Sequence, residues 1–280
     1  AAEPGQAKGF RQTKENGMKK RLFTLVMCAL VAFGLAACGG GGTSTEEPKA
    51  IDEQAMSIIA KGFEKRADVI TKNGGDLSNA DNMKEAIQTE IDNDAQLKSA
   101  KFDDSKMQEA VLAYVNSLDA QMEVLDNTQY QSVDFFEKWQ PAYDNRSALL
   151  KALVDDYGLT VGEKYQSDFN EVIKNGSSVQ KKTEIDDQLK ALLSNAEVEK
   201  SDDGYGLFTY TTVIENTTDY SYNNLFLIFA LYDADGVRLG ETYATTNAMP
   251  KGEKVKFEGS TNIDAETVKI EVQSYYDATE

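Results

Sequence analysis

The chain of 280 residues carries 29 Lys+Arg against 47 Asp+Glu, a formal net charge of −18, with 41% hydrophobic residues, two Cys and no His. That apolar fraction is typical of folded domains, and the length allows one large domain or two modest ones. Without His there is no Ser-His-Asp triad, no imidazole base and no His-ligated zinc, and the acid excess repels nucleic acid rather than binding it.

The charge is divided along the chain. Residues 1–37 hold six basic side chains and two acids, so setting that +4 aside leaves −22 on residues 38–280. Residues 1–17, ahead of Met18, are expected to be vector residues or a mis-assigned upstream start. Residues 18–37 open on Met18-Lys19-Lys20-Arg21 and continue as an apolar run from Leu22 to Ala37, the form of a secretory signal peptide too short for an ordinary membrane-spanning helix. Its end, Leu35-Ala36-Ala37-Cys38 followed by Gly39, resembles a bacterial lipobox. The resemblance implies cleavage before Cys38 and a diacylglyceryl group on its sulfur, and two acyl chains suffice for stable membrane attachment. An ordinary cleaved signal or an uncleaved anchor is the other reading. Cys28 lies within the leader, so the mature chain would keep only Cys38, with no intrachain disulfide and no Cys-ligated metal.

Residues 38–49, with Gly39-Gly-Gly-Gly-Thr-Ser-Thr-Glu-Glu-Pro48, read as a flexible tether. From residue 50 to 198 the apolar spacing is helical. Ile51, Ala55, Ile58, Ile59, Phe63 and Ile70 share a stripe that Asn73-Gly74-Gly75 ends; Met83, Ile87 and Ile91 mark a shorter helix; Met107, Val111, Val115, Leu118, Met122 and Leu125 mark the clearest amphipathic one. A further stretch runs from Tyr130 to Tyr157, with Pro141 expected to kink or divide it and Gly158 to close it. Thr160-Val-Gly-Glu163 has capping-box spacing, Asn175-Gly176 reads as a stop, and Ile185, Leu189, Leu192 and Leu193 mark one more helix. The expectation is an antiparallel helical bundle or array.

Around Ser201-Asp-Asp-Gly204 the period changes from 3.6 to 2, which is expected to mark a boundary that few contacts cross. Phe208, Tyr210, Thr212 and Ile214 alternate with their neighbours, Leu225 to Tyr232 is apolar on both faces, and Val255, Phe257, Val268, Ile270 and Val272 alternate again. Asn216-Thr-Thr-Asp219, Asp233-Ala-Asp-Gly236 and Pro250-Lys-Gly252 stand between as turns. The fold class expected is α plus β in several domains, the helical part followed by a small β-sandwich.

Phe229-Ala230-Leu231-Tyr232-Asp233, then Ala-Asp-Gly236, Met249-Pro250-Lys251-Gly252-Glu253 and Phe257, resembles the FxLYD domain of secreted and lipid-anchored bacterial proteins. The resemblance covers about 204–276. It implies an immunoglobulin-like sandwich over 204–280 and supplies no catalytic residues.

Asp233-x-Asp235-Gly236 lacks the third ligand and the closing Glu of an EF-hand, so a hairpin turn explains it. Ser178-Val-Gln-Lys181 lacks the companions of penicillin-recognising enzymes. The doublets Asp103-Asp104, Asp155-Asp156, Asp186-Asp187 and Asp202-Asp203 read as helix ends and solvated surface rather than a catalytic pair. Phe135, Phe136, Trp139 and Tyr143 can line a groove, and Tyr205, Tyr210, Tyr220, Tyr222, Tyr275 and Tyr276 can present a platform to protein or sugar, although core packing accounts for most of them. Trp139, Tyr143, Tyr220 and Tyr222 are the candidate ligand or partner surface, and Cys38 is the lipidation site.

These features lead to the expectation of a non-enzymatic, lipid-anchored protein on the extracellular face of a bacterial, Gram-positive membrane. It needs no cofactor or metal, and meets the membrane through the acyl chains on Cys38 and an envelope or extracellular protein or glycan through its folded part. A structural spacer and an exported ligand-binding lipoprotein are the alternatives.

Overall fold

The computed structural model describes residues 50–280; the leader, Cys38 and the tether lie outside the described residues. Four helices come first: α1 Asp52–Lys72, α2 Ala80–Asp94, α3 Ser105–Asn127 and α4 Val133–Tyr157. Three of their starts are written in short polar side chains that accept the first free backbone N–H groups. Asn79 accepts from Asp81 N at 2.8 Å, Asp104 from Lys106 N at 2.8 Å and Ser132 from Phe135 N at 3.1 Å. The ends of α1 and α4 are written in glycine: Gly74 and Gly158 stand at φ 71° and 68°, a left-handed conformation that side chains with a Cβ resist. The first three helices run antiparallel in turn, as the pairs Lys72–Glu85 and Arg66–Glu90, then Lys84–Asp126 and, from the 3₁₀ turn Ala95–Ser99 that follows α2, Lys98–Asp119, require. Among the described residues no helix is long and apolar enough to cross a membrane.

Two expected interruptions are absent. Pro141 sits inside α4 without dividing it, because it lies on an exposed stretch of the helix where water can take up the carbonyl that loses its partner. Asn175-Gly176 does not stop a helix either: α5 runs unbroken from Gln166 to Ser194. Gly176 is buried where α5 crosses α4, and a Cβ there would stand 2.2 Å from the Ser147 carbonyl oxygen and 2.9 Å from Lys151 Cβ. The glycine is there for close approach, not for a turn. The start of α5 also falls later than Thr160. Glu64 accepts the Gly162 N–H at 2.7 Å, and only a short 3₁₀ turn, Glu163–Tyr165, precedes the helix.

Seven strands follow: β1 Glu199–Asp202, β2 Phe208–Glu215, β3 Ser221–Tyr232, β4 Arg238–Met249, β5 Lys254–Thr261, β6 Thr267–Ser274 and β7 Asp277–Thr279. They form two antiparallel sheets, one ordered β1-β2-β5 and the other β4-β3-β6 with β7 also on β3, so an α plus β fold with a sandwich at its C-terminal end is present. Phe229 and Leu231 of the central strand are fully buried between the sheets with Tyr222, Leu225, Leu227 and Phe257. The outer face of β3 is less covered than its apolar sequence leads one to expect. Phe226 is 44% exposed and Ile228 and Tyr232 are half-buried, since among the described residues no second layer lies over that face. Two turns meet: buried Asn216 donates to Tyr220 O and Met249 O, both at 2.8 Å, while its own carbonyl accepts from Gly252 N at 2.8 Å.

The sandwich is closed on one side by β4 against β5, where Thr242 Oγ1 donates to Ser260 O at 3.0 Å. On the other side it is closed by α5. Ile185, Leu189 and Leu193 belong to the same buried cluster as Phe229 and Phe257, with Leu192, Ala196 and Val198 packed against it. The first half of α5 packs elsewhere: Phe169 lies edge-on to Phe63, 5.2 Å between centroids, in the core of the helical module. The core of the β module therefore reaches across the change of period, and Glu47–Glu280 is one compact unit.

Two outcomes are expected. Gly176→Ala should cost ~1–3 kcal/mol, the usual range for an overpacked contact, and lower the melting temperature of the whole body; an unchanged melt would mean the two helices can separate freely. A fragment from Ser178 to Glu280 should melt cooperatively at a higher temperature than one from Glu199 to Glu280, which lacks the three side chains that close the mouth. Equal melting would show that α5 contributes nothing to that core.

Candidate functional site

Each of the first four helices carries a polar residue at a position its apolar stripe assigns to the core. Arg66 follows Ile59 and Phe63 on α1, Glu90 follows Met83 and Ile87 on α2, Tyr114 and Gln121 interleave with Val111, Leu118 and Leu125 on α3, and Arg146 precedes Leu150 and Leu153 on α4. All five are buried, and three of them, Arg66, Tyr114 and Arg146, converge on the Glu90 carboxylate. Arg146 Nη2 donates to Glu90 Oε1 at 2.8 Å and Oε2 at 3.0 Å, Arg66 Nη1 donates to Glu90 Oε2 at 2.9 Å, and the Tyr114 hydroxyl donates to Oε1. Arg66 Nη1 also donates to Gln121 Oε1 at 3.1 Å, and the Arg146 guanidinium lies 5.7 Å from the centre of the Phe63 ring.

Burial pushes the Glu90 carboxyl up, but Arg146 and then Arg66 outweigh it and hold the group at about 2. Its lone pairs are occupied by donors and water has no access. Such a carboxylate cannot serve as a base; it fixes the helices. One turn further along α2, Asp94 is buried with a different fate. Asn93 donates to its Oδ1 at 2.9 Å, its Oδ2 has no partner, and Gly62 of α1 lies so near that a Cβ there would be 2.6 Å from Oδ1. Desolvation raises its pKa to about 8, against the smaller opposing effect of the Asn93 hydrogen bond. Two guanidiniums thus hold one ionised carboxylate, while Asp94 beside the cluster is bonded by neither and is pushed toward its protonated form. Sequence reasoning passed over this cluster; charged residues in core phase were its only signal.

The residues picked out from the sequence are dispersed. Cys38 lies outside the described residues. Trp139 is half-buried and stacked on buried Phe135, 5.4 Å between centroids with the rings 18° from parallel, in a small cluster with Met83, Ile87 and Leu125. Tyr143 is half-buried and Phe136 exposed, so the four aromatics of α4 form no common groove. Tyr220 and Tyr222 are corrected from surface to core: both are buried in the β module, and the Tyr222 hydroxyl donates to the Ile185 carbonyl at 3.4 Å. Inward parity on β3 and the cover of α5 put Tyr222 there. Asp233 is a turn residue as expected, accepting from Asp235 N at 3.0 Å and Val237 N at 2.8 Å.

What the surface does offer is a groove of ≈ 570 Å³ between α5 and the end of β6, lined by Lys182, Ile185, Asp186, Leu189, Lys190 and the Val272–Tyr276 stretch. Tyr275 packs edge-on to Tyr222 and donates to Asp186 Oδ1 at 2.7 Å, while Lys182 Nζ lies 2.7 Å from Asp186 Oδ2. Burial raises Asp186, but the hydrogen bonds from Lys182 and Tyr275 more than offset it, so the carboxylate stays ionised and occupied. The groove has polar edges and an apolar floor, suited to holding a segment rather than to proton transfer. No set of three or more potential metal-binding side chains occurs among the described residues.

The helical cluster has a pH signature. The folded chain keeps the Asp94 proton up to about 8, whereas an unfolded chain releases it near 3.8, so stability falls as pH rises through that window. Glu90 acts in the opposite sense: its contribution is complete above its ordinary 4.5 and is lost as pH falls toward about 2. The melting temperature should therefore be highest in mildly acid solution and decline toward pH 8, with Asp94→Asn removing that decline. A decline of the same size in the variant would assign it to other groups. No protein family, curated protein or solved structure matches the chain.

Proposed function

We propose that this is a lipid-anchored protein of a bacterial cell surface or envelope, with a non-enzymatic interaction or adaptor role. The observation that carries the reading is the ordered series of basic start, apolar run, Leu35-Ala36-Ala37-Cys38 and Gly-rich tether, followed by an acidic folded body. The parts act in sequence. The first two direct export, acyl chains on Cys38 hold the membrane, and the tether lets the body stand clear of it. The β module, through its resemblance to FxLYD domains, is the part we assign to partner binding. Its Tyr275–Asp186 groove, rather than the core residues Tyr220 and Tyr222, offers polar groups and an exposed Tyr276 to a protein or glycan.

A spacer role is the second reading, favoured by α5, which joins the cores of both modules in one continuous helix. Two measurements separate these. Cys38→Ala should move the protein from the detergent phase to the aqueous phase with an unchanged melting curve; a variant that still enters detergent contradicts lipid attachment. Cross-linking of the intact protein on living cells should capture a reproducible partner, and its absence favours the spacer.

A further inference from the structure

The β module has four edge strands, β1 and β5 of one sheet and β4 and β6 of the other, that differ sharply in how they are protected. β4 and β5 cover each other so closely that a Cβ on Gly259 would stand 2.8 Å from the Tyr243 carbonyl oxygen. β1 is short and polar, Glu199-Lys200-Ser201-Asp202, with all its residues exposed. None of these three invites another strand. β6 is eight residues long, pairs with β3 on one side only, and carries no proline. Its inward side chains Val268, Ile270 and Val272 are only half-buried, although their partners on β3, Leu231, Phe229 and Leu227, are fully buried. α5 comes against the C-terminal end of this strand, where Tyr275, just beyond it, donates to Asp186, and a groove lies between the two.

We propose that β6 is a homodimerisation edge: it pairs antiparallel with β6 of a second copy about a two-fold axis at Ile270, extending the β4-β3-β6 sheet across both molecules. The sequence Thr267-Val-Lys-Ile-Glu-Val-Gln-Ser274 sets the register. In an antiparallel pair, directly opposed residues lie on the same face, so a two-fold pairing that keeps apolar side chains together must centre on a residue rather than between two. Centring on Lys269 or Glu271 sets like charges against each other. Centring on Ile270 places each Lys269 opposite Glu271 of the other copy, each Val268 opposite Val272, and Ile270 opposite itself. Opposite-charge and apolar cross-strand pairs are the favourable ones. Within one copy Glu271 pairs with Arg238 at 3.5 Å and Lys269 rests 4.9 Å from the centre of the Tyr232 ring, contacts on the same outer face that edge pairing would exchange for Lys269–Glu271 pairs. This is self-complementary chemistry, and a second copy of this chain is the occupant it fits. It does not depend on the lipid anchor.

The test uses Glu47–Glu280, which holds both cores and no Cys. Sedimentation equilibrium should show a reversible monomer–dimer equilibrium for the unaltered body. Lys269→Glu should weaken it by roughly ten-fold or more, because two opposite-charge cross-strand pairs become two like-charge pairs; the double variant Lys269→Glu/Glu271→Lys should restore it. Register is read separately: Ile270→Cys should form a disulfide-linked dimer under mild oxidation, since opposed residues of an antiparallel pair stand about 5 Å apart at Cα, whereas Thr267→Cys, off the axis, should not. A body that stays monomeric at the highest attainable concentration, a double variant that fails to recover with an unchanged melting curve, or equal cross-linking at both positions would each overturn the proposal.

Discussion

The geometry of the helical module depends on one buried carboxylate. Glu90 receives Arg66 from α1, Tyr114 from α3 and Arg146 from α4, so all four helices are registered against a single pair of oxygens. Taking those charges out of water is expensive, and well-packed apolar residues of similar volume would often serve stability as well or better. What apolar packing would not supply is direction. A leucine stripe tolerates a helix sliding or rotating by a fraction of a turn, whereas two guanidiniums and a phenol on one carboxylate do not. The cluster is also unevenly satisfied, for Asp94 Oδ2, Gln121 Nε2 and Arg146 Nε have no partner. It is the element of this core most sensitive to proton uptake.

α5 carries that fixed geometry into the sandwich. Its first half meets the bundle through Phe169 and Gly176, and its second half closes the β core through Ile185, Leu189 and Leu193. A helix continuous over 29 residues does not hinge unless its hydrogen-bond ladder breaks. In the proposed arrangement the Gly-rich tether would supply the reach and the folded body the rigidity. That division suits a protein that holds a binding edge at a set distance from its support.

Much of the fold is legible in the sequence. The stripes at 3.6 spacing, the alternation after Gly204 and the glycines at 74, 158 and 236 place most elements, because each of those glycines satisfies a left-handed turn. Gly176 misleads because a glycine needed for close approach looks the same on paper as one needed for a turn, and only the neighbouring helix distinguishes them. β1 escapes notice because an edge strand of four polar residues has no apolar period. The site is less legible. Tyr220 and Tyr222 carry the polar tips of surface residues, yet Tyr222, on the inward parity of β3, and Tyr220, just ahead of that strand, are both buried in the core that α5 covers. The Glu90 cluster is assembled from residues 24 to 56 positions apart, and single-helix periodicity shows them only as charges out of place.

The surface chemistry and the proposed anchor have a physical connection. Edge pairing between two eight-residue strands buries little area, and an interface of that kind is weak in dilute solution. Acyl chains on Cys38 would confine the protein to a plane, and a flexible tether would keep neighbouring bodies within reach of each other, which raises their effective concentration as a short linker does between two modules. Under that confinement a modest, self-complementary edge becomes populated without any change in its contacts. The acidic body works against close approach of two copies, and in the proposed pairing the cross-strand Lys269–Glu271 pairs would offset that repulsion at the point of contact. An edge of this strength also remains reversible.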